Sequence, residues 1–109
     1  MVEGGRPSIG TVFVKICGVT SEDDALLAVA MDADAIGFNF VSGSIRQIAP
    51  VVARDIVRRL PPEMLTVGVF RDAAPERVVQ IVADAGLRGA QLHGRETPET
   101  TRYVAERVP

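Results

Sequence analysis

Val12-Phe13-Val14-Lys15-Ile16-Cys17-Gly18 leads through Val19-Thr20 into the acidic run Ser21-Glu22-Asp23-Asp24. A short apolar run broken by one lysine and bounded by a glycine-bearing loop reads as a buried strand over about 12–16. The hydroxyls of Thr20 and Ser21 are candidate N-caps, and the three carboxylates suit the positive end of a helix. The predicted inner face of that helix is Leu26, Val29, Ala30 and Ala33. The one cysteine and the one lysine of the chain both fall in this first strand. A thiol at the carboxyl end of a parallel strand stands where α/β proteins gather their chemistry.

The same unit recurs three times downstream. Ala35-Ile36-Gly37-Phe38-Asn39-Phe40 is a second strand, followed by the loop Ser42-Gly43-Ser44-Ile45-Arg46-Gln47 and a helix opened by Pro50, with Ala53, Ile56, Val57 and Leu60 inward. Arg58 and Arg59 belong to its solvated face, and Pro61-Pro62 stops it. Leu65-Thr66-Val67-Gly68-Val69-Phe70 is a third strand. Pro75 starts the next helix, which buries Val78, Ile81, Val82 and Ala85 and ends at Gly86 in a left-handed cap. Gly89-Ala90-Gln91-Leu92-His93 is a fourth strand. Thr97 and Pro98 then cap a last helix with Thr101, Val104, Ala105 and Val108 inward.

Strict alternation of strand and helix, with strands apolar on both faces, implies a parallel sheet covered by helices. Residues 12–109 thus form four βα units, and residues 1–11, carrying Gly4, Gly5, Pro7 and Gly10 without periodicity, read as a flexible leader. The pattern alone leaves two closures open: a doubly wound sheet, or part of a (β/α)8 barrel.

The chain has 109 residues, 47 % of them hydrophobic and 24 % charged, which is an ordinary globular mixture. No apolar run approaches the roughly 20 residues of a membrane span, and no signal core is present, so a cytoplasmic protein is expected. A net charge of -2 gives no basic field for nucleic acid. One cysteine and one histidine leave no disulfide and too few soft ligands for zinc. Neither a P-loop nor a dinucleotide glycine fingerprint occurs.

Three strings carry a resemblance. Val14-Lys15-Ile16-Cys17-Gly18-Val19-Thr20, then Gly37-Phe38-Asn39-Phe40 with Gly43-Ser44-Ile45-Arg46, then Gly89-Ala90-Gln91-Leu92-His93-Gly94 resemble the phosphoribosylanthranilate isomerases of tryptophan biosynthesis. Val67-Gly68-Val69-Phe70 is similar to that family's third strand. The resemblance spans about Val12 to Pro109 and implies the N-terminal half of a (β/α)8 barrel, a parallel (β/α)4 segment. It implies an Amadori rearrangement of N-(5'-phosphoribosyl)anthranilate to 1-(2-carboxyphenylamino)-1-deoxyribulose 5-phosphate, without a cofactor. By that resemblance Cys17 is the general base, Arg46 meets the anthranilate carboxylate, and Gln91 and His93 line the pocket. The family's general acid and phosphate loops fall on later units.

Chemistry bears on these assignments independently. Only a thiolate accepts a proton, so Cys17 would draw on the amides opening the first helix or on a cation such as Lys15, two residues away on the same strand face. The planar fork of Arg46 suits a carboxylate in a way lysine does not. Departures from the family pattern are Ile45 in place of a proline before the arginine, and Arg71-Asp72 in place of Val-Asn after the third strand. Bare edges at the first and fourth strands, near Phe13, Ile16 and Leu92, imply self-association or pairing with a complementary C-terminal half. Two other readings stand beside this one: a non-catalytic half-barrel binding or assembly module, and a Cys-dependent enzyme on a flavodoxin-like sheet of order 2-1-3-4.

Overall fold

The computed structural model describes residues 13–109; the leader and the first residue of the opening strand lie outside the described residues. Eight elements alternate: β1 (Lys15–Ile16), α1 (Glu22–Ala30), β2 (Ala35–Asn39), α2 (Pro50–Val57), β3 (Leu65–Phe70), α3 (Pro75–Ala85), β4 (Gly89–Leu92) and α4 (Pro98–Ala105). The four strands pair in parallel in the order β1-β2-β3-β4. Sequential order selects the barrel segment over the doubly wound sheet, whose first strand would sit inside.

The punctuation residues act as their chemistry dictates. Pro50, Pro75 and Pro98 occupy first helical turns, and Ser21 and Thr97 accept the amides of Asp24 and Thr100 as side-chain caps. Gly86 closes α3 at φ 71°, which a side chain would disfavour. α2 ends at Val57, ahead of Pro61-Pro62, and the chain turns through two tight bonds, Arg59 N–H to Ile56 and Leu60 N–H to Val57.

Register assigns the two faces. Ile16 pairs with Ile36, Ile36 with Thr66, Phe38 with Gly68, and Phe70 with Leu92, so these side chains share the face covered by helices. There they join Val78, Ile81, Val82, Ala53 and Ile56 in one buried cluster, and the Phe40 and Phe70 rings stack at 5.3 Å. The opposite face carries Lys15, Ala35, Gly37, Leu65, Val67, Val69, Gly89 and Gln91. Leu65, Val67 and Val69 are only half-buried, so β3 is less covered on this side than its composition implied.

Three expectations need correction. In α1 the core residues are Ala25 and Ala28, with the expected Ala33 buried and Val29 packed against the core, whereas Leu26, Leu27 and Met31 are 47 %, 59 % and 65 % exposed and Ala30 is exposed too. Two small side chains let the helix approach closely, which turns its larger residues outward. In α4 only Val104 is fully buried; Thr101 and Ala105 are exposed, and Tyr103 packs on the core instead. The acidic start of α1 does more than cap, because Glu22 accepts from Arg59 at 3.0 Å and ties α1 to the turn after α2.

Packing on the helix side is close at Gly68. A Cβ there would lie 2.8 Å from Phe70, 2.9 Å from Leu87 and 3.1 Å from Phe40, whereas one on Gly89 would find nothing nearer than 3.8 Å. Gly68→Ala is therefore expected to destabilise the chain by about 1–3 kcal/mol, and Gly89→Ala to stay within roughly 0.5 kcal/mol of the parent. Urea denaturation of the two variants checks this; equal midpoints would refute it.

Candidate active site

The carboxyl ends of the four strands open onto one concave face. Strands three places apart lie about 14 Å apart in a flat sheet, yet Lys15 Nζ on β1 donates directly to Gln91 Oε1 on β4. The sheet is sheared as well as curled. By register Lys15 stands level with Ala35 and Leu65, and Gln91 with Val69, an offset of four residues (69 − 65) across three strand steps.

Cys17 is exposed, directly after β1, and alternation puts it on the same face as Lys15. Gly37 makes room for it, since a Cβ on Gly37 would come within 2.8 Å of the Cys17 sulfur. The turn after Cys17 is fixed by one acceptor: Gly37 O receives Gly18 N–H at 3.1 Å and Val19 N–H at 3.2 Å. Thr20 N–H points to the Asp24 carboxylate at 3.4 Å. The loop amides of Gly18, Val19 and Thr20 are therefore engaged elsewhere, and of the amides that open α1 that of Asp24 is taken by the Ser21 cap. Lys15 likewise turns to Gln91.

Arg46 reaches this turn from the loop after β2. Its aliphatic chain lies over Gly18, where a Cβ would be 3.4 Å from Arg46 Cγ, and its Nη1 donates to Gly18 O at 3.4 Å. Gly18 adopts φ 80°, a left-handed conformation that calls for glycine there. The loop is braced by side chains: Asn39 Nδ2 donates to Ser44 Oγ, Ser44 Oγ accepts Arg46 N–H at 3.1 Å, and Gln47 Oε1 accepts Gly43 N–H at 3.2 Å. This internal bonding supplies order where Ile45, 96 % exposed, replaces the expected proline.

Gln91 and His93 follow on β4 and just beyond it, two residues apart and so on one face. His93 is exposed, and its backbone N–H donates to Phe70 O at 2.7 Å, extending the β3–β4 ladder. The structure thus brings Cys17, Gln91 and His93 to one end of one face, with Arg46 beside Cys17.

A feature that sequence reasoning missed joins the loops after β3 and β4. Asp72 Oδ1 accepts Arg95 N–H at 2.6 Å, and Asp72 N–H donates to Glu96 Oε2 at 2.7 Å. Asp72 adopts φ 53°, and Gly94 leaves space that a side chain would take from its carboxylate. The departure at Arg71-Asp72 thus builds a latch between loops. Its only sequence signal is the replacement of Val-Asn, since the partners lie more than twenty residues away.

Two hollows flank the sheet. One of about 150 Å³ lies among Cys17, Gly18, Arg46, Leu27 and Met31, at the β1 edge. The other, about 630 Å³, runs along β4 and α4 past Ala90, Leu92, Thr101 and Val104, away from Cys17 and Arg46. Among the described residues no group of three or more His, Cys, Asp or Glu is placed to hold a metal ion, and no helix is long and apolar enough to cross a membrane.

Comparison with known proteins agrees with this geometry. The N-(5'phosphoribosyl)anthranilate (PRA) isomerase family model matches residues 14–109. The N-(5'-phosphoribosyl)anthranilate isomerase of Desulforudis audaxviator is 57 % identical over 95 residues, covering 87 % of this chain and 46 % of that protein. The crystal structure of phosphoribosyl anthranilate isomerase from Thermus thermophilus superposes with a TM-score of 0.87 at 49 % identity, over 90 % of this chain and 49 % of that one. A phosphoribosyl anthranilate isomerase in complex with reduced 1-(o-carboxyphenylamino)-1-deoxyribulose 5-phosphate gives a TM-score of 0.88 at 45 % identity, over 90 % and 50 % of the two chains. The chain spans about half the length of the curated relatives it matches. On the family match and these likenesses together, the chain belongs to the N-(5'-phosphoribosyl)anthranilate isomerase family, and its four βα units are half of a (β/α)8 barrel.

Proposed function

We propose that this chain supplies the base and the carboxylate-recognition groups of a phosphoribosylanthranilate isomerase acting in tryptophan biosynthesis in the cytoplasm. The observation that carries the reading is the gathering of Cys17, Gln91 and His93 at one end of the concave face, with Arg46 packed over the adjoining Gly18. The Cys17 thiolate takes the C2' proton once the ribose ring has opened, and the resulting enol collapses to the ketone. Arg46 spends one N–H on Gly18 O and offers the rest of its fork to the anthranilate carboxylate. Gln91 and His93 line the pocket around the sugar. The related structure in complex with a reduced carboxyphenylamino-deoxyribulose phosphate supports a ligand of this class.

The acid that opens the ring and the loops that hold the phosphate belong, in this reading, to four further βα units, whether in the same polypeptide or in another. They close the barrel against the two flanks: the β1 edge with exposed Phe13, Val14, Leu27 and Met31, and the hollow along β4 and α4.

Three outcomes test this. The 109-residue chain alone is expected not to consume phosphoribosylanthranilate, followed by loss of its fluorescence, and to do so when mixed with the second half of the Thermus thermophilus relative. Turnover by the isolated chain that Cys17→Ser abolishes would refute the division of labour. In the mixed enzyme Cys17→Ser lowers kcat by about 10²–10⁴, as expected for loss of a general base. Arg46→Lys raises KM about tenfold with a smaller change in kcat, since a forked charged contact becomes a single one.

A further inference from the structure

The Lys15–Gln91 bond has a consequence for what the concave face can recognise. A lysine ammonium has three donors and no acceptor, so the atom of the Gln91 amide that faces it must be the oxygen. The Nε2 hydrogens then point away from Lys15, and among the described residues they meet no protein acceptor. A glutamine without such a partner can present either oxygen or nitrogen by turning its amide over. Gln91 is denied that choice by a residue from the far edge of the sheet, 76 positions away.

We propose that Lys15 is a positioning residue that locks the Gln91 amide with its two Nε2 hydrogens directed at the ligand, so that this position selects an oxygen acceptor, a hydroxyl or carboxylate, and rejects a donor-only group. The assignment rests on the reading above in that Gln91 meets the ligand. The geometry supports it from two sides. The bond is partly buried, where a directional contact is less diluted by water. Lys15 also has no competing task at the thiol, because its ammonium spans the concave face to reach β4 rather than turning to Cys17 on its own strand.

The test separates orientation from catalysis. In ¹⁵N spectra of this chain the side-chain amide pair of Gln91 is expected away from the free-glutamine position, to return there in Lys15→Met, and to stay displaced in Lys15→Arg, which also only donates. In the enzyme mixed with the second half of the Thermus thermophilus relative, Lys15→Met is expected to lower kcat/KM about tenfold, with Lys15→Arg recovering most of it. Gln91→Glu keeps an oxygen for Lys15 but removes the donors, and is expected to fall at least as far. An unmoved Gln91 resonance in Lys15→Met, or a Gln91→Glu enzyme as active as the parent, overturns the proposal. Should Lys15→Met fail to fold, Lys15→Arg and Gln91→Glu decide by the same criteria. A displaced resonance with no turnover in any mixture, the parent included, refutes the isomerase reading and upholds the orientation.

Discussion

The carbonyl of Gly37 accepts the amides of both Gly18 and Val19, and the missing side chain of Gly37 leaves the space into which the Cys17 sulfur fits. A carbonyl has two lone pairs, and here both hold the exit from the first strand against the second. The left-handed turn at Gly18 follows, and with it the platform on which Arg46 lies. A side chain at Gly37 would displace the thiol, and one at Gly18 would be strained by the left-handed turn. The Cys17 thiol and the Arg46 side chain are thus placed by two glycines on neighbouring strand ends.

Much of this was legible in the chain. Pro50, Pro75, Pro98, Ser21, Thr97 and Gly86 each act within a turn of their own position, so local rules locate them. The helix-side core of α3 follows the helical period for the same reason. The inner face of α1 was read from the helical spacing of Leu26, Val29, Ala30 and Ala33; Ala33 and Val29 do join the core, but the buried stripe is centred on Ala25 and Ala28, which leaves Leu26 and Ala30 exposed. The site residues came from strings at strand ends, which a parallel register necessarily gathers at one end of the sheet. What stayed hidden were pairings that depend on the curl and shear of the sheet: Lys15 with Gln91, and Asp72 with Arg95 and Glu96. No local pattern encodes them.

The two faces of the sheet divide the labour of the fold. Ile36, Phe38 and Phe70 are buried against the helices with Val78, Ile81 and Val82, and this layer holds the four units together. The concave face has a different character, with Leu65, Val67 and Val69 half-buried and Lys15, Cys17, Gln91 and His93 at or near its rim. Burial on that side contributes less, so polar and reactive side chains can stand there at little cost to the core.

This separation also explains why the curl survives with few apolar contacts on the concave side. Right-handed crossovers bring every helix to one face, and the small residues Ala25, Ala28 and Ala53 let helices pack closely there. The inherent twist of parallel strands and the shear between them tilt and curl the sheet. Lys15 then needs only to bridge a gap that packing elsewhere has already narrowed. The Lys15–Gln91 contact thus spans a sheet whose order comes from the opposite face, where Phe38 and Phe70 are buried against the helices.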